Sequence, residues 1–427
     1  MMEELSVFVE DQRMGRLLWD RRRDKLGFRY ESEWRDFPLS LSMPLTAVEH
    51  GHSVVEPFLW GLLPDNDGVL QRWGERFQVS PRNAFKLLWH VGEECAGAVQ
   101  FIRPDRIEAW SKNPLPGGVT WLTSREVAER IHLLLKDHSA SRTSSDAGSF
   151  SLAGAQPKTA FFFDPKKKRW GIPFGTVPTT HILKPATGTF DGFAENEHFC
   201  LRLAGNLGFP TALSSVQYFD DCPVIAVERY DRIRQPERVI RVHQEDMCQA
   251  LACMPQRKYQ NQGGPSPAQI LGIIRQYSTN RATDEQRFID SLILSWLIGG
   301  TDAHAKNFSI LIASGAQVRL APLYDLSSAL PYPKQVDLRR AALALKIGGA
   351  YKLREIGPRQ WEKFAAEHRL KAAELIARIL HLAERIPDSA HAVANSLVEE
   401  RLTHPVINRL VEEISSRAIH CRQQFRI

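Results

Sequence analysis

The chain has 427 residues, 43% of them apolar and 24% charged, which suits a globular protein of two or three domains and excludes a fibrous or disordered one. No apolar run approaches the roughly 18 residues of a membrane span, and the opening MMEELSVFVEDQRMG lacks the basic and apolar stretches of a secretory signal, so a cytoplasmic protein with no membrane partner is expected. The net charge of +6 lies wholly from Lys334 onward, where 17 Lys/Arg face 11 Asp/Glu, a balance that suits a phosphate-rich partner and equally well a set of solvated basic helix faces.

The first hundred residues read as mixed α/β. Leu5–Val9 alternates as a strand, Asp11–Gly15 as a turn and Pro38–Leu45 as a further alternation; Asn83–His90 reads as a helix and Gly97–Ile102 as a strand. The Pro- and Gly-rich segment Arg103–Thr120 predicts a loop or boundary. Thr123 and Glu126 form a capping-box pattern opening a helix through Lys136. A small-residue stretch, His138–Ser149, is expected to be mobile. Strands follow at Thr159–Phe163, Trp170–Pro173, Thr180–Lys184, Leu213–Phe219 and Pro223–Tyr230, with the basic run Lys166–Arg169 as a hairpin turn and a helix at Ala194–Gly208. From Glu245 the pattern becomes helical, at Glu245–Cys253, Pro267–Tyr277 and Asp284–Gly299. A hairpin (Phe308–Ile312, Val318–Pro322) interrupts it, and helices resume from Pro358. A strand-rich half followed by a helix-rich half predicts an α+β, two-lobed architecture. The six cysteines include no C-x-x-C pair and read as buried thiols.

The stretch Gly299–Ser309 carries the chemistry. Asp302 and Asn307 have the D-x-x-x-x-N spacing of a protein-kinase catalytic loop, where the Asp orients and deprotonates the acceptor hydroxyl and the Asn ligates Mg²⁺. Asp325, after the hairpin, stands where a second metal-binding acid is needed. Alone the spacing is weak, because Asp and Asn in loops are usually turn or cap residues. Upstream features agree with it. Lys184 ends a strand and Glu197 lies in the following helix, the order of the kinase phosphate-binding lysine and its acidic partner. Gly148–Lys158 supplies small residues ahead of a strand, as a loop over phosphates requires. A solvated strand-end lysine and a plain flexible loop are the alternatives.

These segments, with PLSLSMPL, GLLPDN, SLAGAQPKTA, PTTHILK, AVERYDR, QEDMCQAL, KYQNQGGP, GGTDAHAKNFS and APLYDLSSA in order along nearly the whole chain, resemble the HipA kinases of bacterial HipBA toxin–antitoxin systems. The resemblance implies a kinase-like fold with an extra N-terminal subdomain over 1–105, a kinase N-lobe over 106–244 and a mostly helical C-lobe over 245–427. It implies Asp302 as catalytic base, Asn307 and Asp325 as Mg²⁺ ligands, Lys184 as phosphate-binding lysine with Glu197 as partner, and Glu228, Arg229 and Tyr230 as the hinge that reads adenine. Ala153, Gly154, Ala155, Gln156, Pro157 and Lys158 match the ATP loop, and His304, Ala305, Lys306 and Tyr324 join the nucleotide contacts. Ser151 corresponds to a regulatory autophosphorylation serine, with Ser149 its rival. Pro157 departs from the pattern, which often has a carboxylate there.

The implied protein is an ATP- and Mg²⁺-dependent serine/threonine kinase toxin. Its acceptor would be a cytoplasmic translation factor of the glutamyl-tRNA synthetase type, and its neutralising partner a HipB-like helix-turn-helix antitoxin. A second reading is a transcriptional corepressor that helps the antitoxin hold operator DNA. A third, a pseudokinase scaffold, conflicts with the intact Asp302, Asn307, Asp325 and Lys184.

Overall fold

The computed structural model describes residues 2–112, 117–141, 150–188 and 190–425. The chain divides into two units, one of Met1–Pro185, Tyr218–Gln256 and Ser309–Val318, the other of Ala186–Gln217, Arg257–Phe308 and Arg319–Ile427.

In the first unit an antiparallel sheet runs in the order Glu49–Gly51, Lys25–Tyr30, Gln12–Asp20, Met2–Val9, Val99–Ile102. The turn expected at Asp11–Gly15 is shorter: Glu10 takes a left-handed φ of 53° and the next strand already starts at Gln12. Helices His52–Leu62 and Ala84–Val91 bury Phe58, Leu59, Phe85 and Leu88, and Trp19 stacks on Phe85 at 5.7 Å. Asn83 caps the second of these by accepting from the Lys86 N–H at 2.9 Å.

Pro38–Leu45 is not a strand. Its polar groups turn to a distant side chain: the Ser40 hydroxyl and the Leu41 N–H donate to the Glu245 carboxyl oxygens at 2.5 and 2.7 Å. Within Arg103–Thr120, of which 113–116 lie outside the described residues, the described parts form two elements. Ile107–Trp110 is a short helix that buries Trp110 against Phe8 and Ile102, and Gly117–Trp121 is an edge strand.

A second antiparallel sheet contains, in order, Cys222–Glu228, His181–Pro185, Thr159–Asp164, Arg169–Gly175 and Gly117–Trp121. The helix Ser124–Lys136 covers it with Val127, Ala128 and Ile131, packed among Phe161, Ile172, Leu183 and Val224. Its predicted capping box is present, with the Glu126 N–H on Thr123 Oγ1 at 3.2 Å and the Thr123 N–H on Glu126 Oε2 at 2.8 Å. The helix expected over Glu245–Cys253 shrinks to Met247–Ala250. His243–Asp246 instead pairs with Ser309–Ala313, and Asp246 caps the helix that follows.

The second unit is mostly helical: Phe193–Asn206, Pro267–Tyr277, Arg281–Ile298, Pro358–His368, Ala372–Glu399 and Pro405–Gln423. From Phe288 to Ile298 the helix Arg281–Ile298 is buried on every side, as befits a central helix. Trp296 meets Trp361 edge-to-face at 5.6 Å, and Phe288 meets Phe308 at 5.0 Å. A hairpin, Ala342–Ile347 with Ala350–Lys352, carries no clear signal in the sequence. Five cysteines are buried and Cys253 is half-buried. Among the described residues no helix is long and apolar enough to cross a membrane.

Candidate active site

The second unit holds Asp302, His304, Ala305, Lys306, Asn307, Tyr324, Asp325 and Glu197; the first holds Ser151, Ala153–Lys158, Lys184, Glu228, Arg229 and Tyr230. Gly148 and Ser149 lie outside the described residues.

In the second unit the segment 299–308 begins where the central helix must stop. Gly299 has φ +67° and a side chain there would press on Leu330, so the left-handed cap needs glycine. The Gly300 N–H then closes back on the Ser295 carbonyl at 2.7 Å. Beyond it Asp302 is exposed, while His304 through Ser309 are buried. Two bonds lock the Asp302 main chain: the His304 N–H and the Asn307 Nδ2 both donate to its carbonyl oxygen, at 2.7 and 2.8 Å. With Nδ2 so engaged, Asn307 has Oδ1 as its remaining acceptor. Phe308, buried under Phe288, anchors the segment's end.

Asp325 sits on a separately pinned segment. Leu323 bridges to Thr211, with the Ala212 N–H on the Leu323 carbonyl and the Leu323 N–H on the Pro210 carbonyl, both at 2.8 Å. The Tyr324 hydroxyl donates to the Lys306 carbonyl at 2.6 Å, which joins this segment to the one carrying Asn307. Further on, Asn196 exchanges two bonds with the Ser328 backbone at 2.8 and 2.9 Å. Held from both sides, Asp325 takes a left-handed φ of 55°, tolerable for an Asp but uncommon, and is exposed. An amide oxygen and a carboxylate are hard donors that fit Mg²⁺. Among the described residues no group of three or more His, Cys, Asp or Glu side chains is gathered to hold a metal.

In the first unit Lys184 is buried in the strand His181–Pro185, opposite Ile225. The loop 153–158 folds on itself, with Lys158 Nζ donating to the Ala153 carbonyl at 2.7 Å. Gly154 sits at φ +109°, a backbone conformation that side chains rarely adopt, and a Cβ there would displace that ammonium. The loop docks on the GLLPDN segment: Gly154 bridges Pro64, and the Asp65 N–H donates to the Gly154 carbonyl at 3.3 Å. Ser151 is fully buried; its hydroxyl donates to the Leu62 carbonyl at 2.7 Å and its N–H to the Glu94 carbonyl at 2.8 Å.

Arg229, expected from the resemblance as a hinge residue, is buried. Its own N–H is engaged by the Thr180 carbonyl at 2.9 Å, and its guanidinium enters a buried cluster with Arg232, Arg241, Asp231 and Glu94. Glu94 Oε1 accepts from Thr179 N, Thr179 Oγ1, Arg229 Nη1 and Arg232 Nη2 at 3.0, 2.8, 3.1 and 3.0 Å. Oε2 accepts from Arg241 Nε and Nη2 at 3.1 and 2.7 Å. Burial alone would push the Glu94 carboxyl up, but Arg241, Arg232 and Arg229 outweigh it and hold it far below the usual carboxylate range. Burial, with the Arg229 charge acting the same way, lowers Arg232 to about 10.

The sequence pattern singles out neither Glu94 nor Tyr259, whose hydroxyl donates to Asp302 Oδ1 at 2.5 Å. For Tyr259 the available signal was the glycine pair Gly263–Gly264 in KYQNQGGP, which announces a tight loop.

Known proteins resemble this chain along nearly its whole length. Residues 5–102 match the HipA N-terminal domain and residues 150–390 the HipA-like C-terminal domain. A putative kinase of Sinorhizobium fredii, Y4mE, is 33% identical over 420 residues, covering 97% of each chain. The serine/threonine-protein kinase toxin HipA of Shewanella oneidensis is 28% identical over 402 residues, 90% of this chain and 88% of that one. The solved structure of Shewanella oneidensis HipA with HipB and its operator DNA superposes with a TM-score of 0.81 at 25% identity, covering 98% of this chain and 99% of that one.

Proposed function

The chain belongs to the HipA family of protein kinases, and from that premise we propose that it transfers the ATP γ-phosphate to a serine or threonine hydroxyl, with Asp302 as the base. The observation that carries this reading is the exposed Asp302 carboxylate on a backbone fixed by the Asn307 side chain, with Asp325 on a segment tied to the same loop. The acceptor oxygen attacks the γ-phosphorus, its proton passes to Asp302, and the bond to the β-phosphate oxygen breaks to release ADP. Asn307 Oδ1 and the Asp325 carboxylate are the groups that would hold Mg²⁺, which when bound neutralises phosphate charge. Lys184 is the proposed phosphate-binding cation, residues 153–158 the proposed nucleotide loop, and Glu228–Tyr230 the proposed adenine-reading hinge.

The test is γ-phosphate transfer by Asp302→Asn and Asp325→Ala at saturating Mg-ATP. Losing a base costs roughly 10²–10⁴-fold, and Asp325→Ala is expected to weaken the Mg²⁺ dependence of ATP binding. Near wild-type transfer by Asp302→Asn would overturn the reading.

The partner proposed is a HipB-like helix-turn-helix antitoxin, in whose complex operator DNA is held. The Shewanella oneidensis complex supports this, and so does the basic excess from Lys334 onward. The acceptor proposed is a translation factor of the glutamyl-tRNA synthetase class. Ser151 is the proposed inhibitory autophosphorylation site: a dianionic phosphate has no space where a buried hydroxyl meets the Leu62 carbonyl, so its addition would expel the loop. Phosphosite mapping after incubation with Mg-ATP, followed by ATP titration of the modified protein, tests this. Unchanged ATP affinity of the Ser151-phosphorylated form would refute it.

A further inference from the structure

The loop Arg257–Gly264 is built tightly onto the segment that carries Asp302. The Gln262 and Gly264 N–H groups both donate to the Tyr259 carbonyl at 3.0 Å, and the Gly263 N–H to the Gln260 carbonyl at 3.1 Å. This fold depends on its two glycines. Gly263 is left-handed at φ +84°, and a Cβ on Gly264 would overlap the Arg257 carbonyl oxygen. The loop is fastened at two further points. The Ala305 N–H donates to the Lys258 carbonyl at 3.3 Å, and the Lys346 N–H to Gln260 Oε1 at 2.7 Å. Between these fastenings the Tyr259 ring stands edge-on to buried His304, centroids 5.0 Å apart, and its hydroxyl meets Asp302 Oδ1 at 2.5 Å.

We infer that Tyr259 is a positioning residue for phosphoryl transfer: its hydroxyl fixes the rotation of the Asp302 carboxylate and presents Oδ2 to the acceptor hydroxyl. The inference rests on reading Asp302 as the base. A carboxylate on an exposed loop swings about its terminal torsions, and every misoriented population is lost to proton transfer. The main-chain bonds from His304 and Asn307 hold the Asp302 backbone and leave the side chain to rotate. An O–H donor on Oδ1 at 2.5 Å is a short charge-assisted bond that removes that freedom. The donor is itself rigid, because the ring is braced by His304 and the backbone by the glycine turn.

Steady-state ADP release from Mg-ATP, with water as acceptor, tests the inference on the full chain in the variants Tyr259→Phe, Asp302→Asn and the double variant. Tyr259→Phe keeps the ring against His304, and thermal unfolding is expected to match wild type. Its kcat is expected to fall roughly ten- to a hundredfold, the size of one lost bond to a charged group, with the KM for ATP within about twofold of wild type. On the Asp302→Asn background the same change is expected to cost nothing further, since the oxygen it serves no longer acts as a base. Wild-type kcat for Tyr259→Phe, a raised KM with unchanged kcat, or an equal loss on both backgrounds would each overturn the positioning role. Wild-type turnover by Asp302→Asn would instead overturn the reading of Asp302 itself.

Discussion

Replacing Glu94 by Gln is the most informative perturbation of the first unit. The change keeps size and removes one charge from a buried cluster of three arginines and two acids. If Gln keeps its oxygen at the Oε1 position, Thr179, Arg229 and Arg232 retain an acceptor. At the Oε2 position an NH₂ group then faces Arg241, whose Nε and Nη2 had donated there at 3.1 and 2.7 Å. Two charge-assisted bonds become a donor–donor clash, and three buried guanidinium groups are left with Asp231 as the cluster's remaining anion. Removing one partner of a buried ion pair typically costs about 3–5 kcal/mol, a large share of the ~5–15 kcal/mol that holds a protein folded. Equilibrium urea unfolding at pH 7, read by tryptophan fluorescence, measures it. Arg241→Leu in the Glu94→Gln background should recover part of the loss, because it removes the unpaired cation. The stabilisation also has a definite pH sign. The Glu94 carboxyl is depressed in the folded state, so its contribution is present above the ordinary value of 4.5 and is lost as the pH falls below it. A Glu94→Gln protein within about 1 kcal/mol of wild type, or one that Arg241→Leu destabilises further, would refute this picture of the cluster.

Glu245 has the opposite sign. Burial, aided by the Asp246 charge and opposed by the Leu41 N–H and the Ser40 hydroxyl, pushes its carboxyl up to about 8. A folded value above the unfolded one contributes stability that is complete below about 4.5 and is lost as the pH rises through 8. Unfolding free energy should therefore fall between about pH 5 and 8 with a slope of up to ~1.4 kcal/mol per unit and level off above that, and Glu245→Gln should flatten it; an unaltered slope in the variant would contradict this. Gly264→Ala should force the Arg257–Gly264 loop open, because the new methyl meets backbone oxygen. It is expected to lower turnover at least as far as Tyr259→Phe and to cost roughly 1–3 kcal/mol in denaturant unfolding; wild-type values in both assays would contradict it.

Much of this protein is decided by neighbours along the chain. The Thr123–Glu126 box, the Ser266–Gln269 box opening Pro267–Tyr277 and the left-handed stop at Gly299 all rest on groups within four residues of one another, and the sequence predicts the helices they bound. The α+β order of elements follows from such local patterns. So does the spacing of Asp302 and Asn307, which one short turn brings together through a single bond.

What the sequence could not decide involves partners far away along the chain. Pro38–Leu45 alternates like a strand, yet its Ser40 and Leu41 turn to a carboxyl group more than 200 residues on. Glu245 and Asp246 look like the start of a helix, but pairing with Ser309 and Ile310 makes them a strand. Arg229 reads as a hinge residue until Glu94, 135 positions earlier, is found against its guanidinium. Tyr259 meets Asp302 across 43 residues because a glycine turn folds the loop back. Local propensity is a weak preference summed over a few residues, whereas a buried charge or hydroxyl must find a partner wherever the fold supplies one, at a cost of about 1–3 kcal/mol if it does not. The need for a partner outweighs the local preference, and only the tertiary structure reveals which distant group meets it.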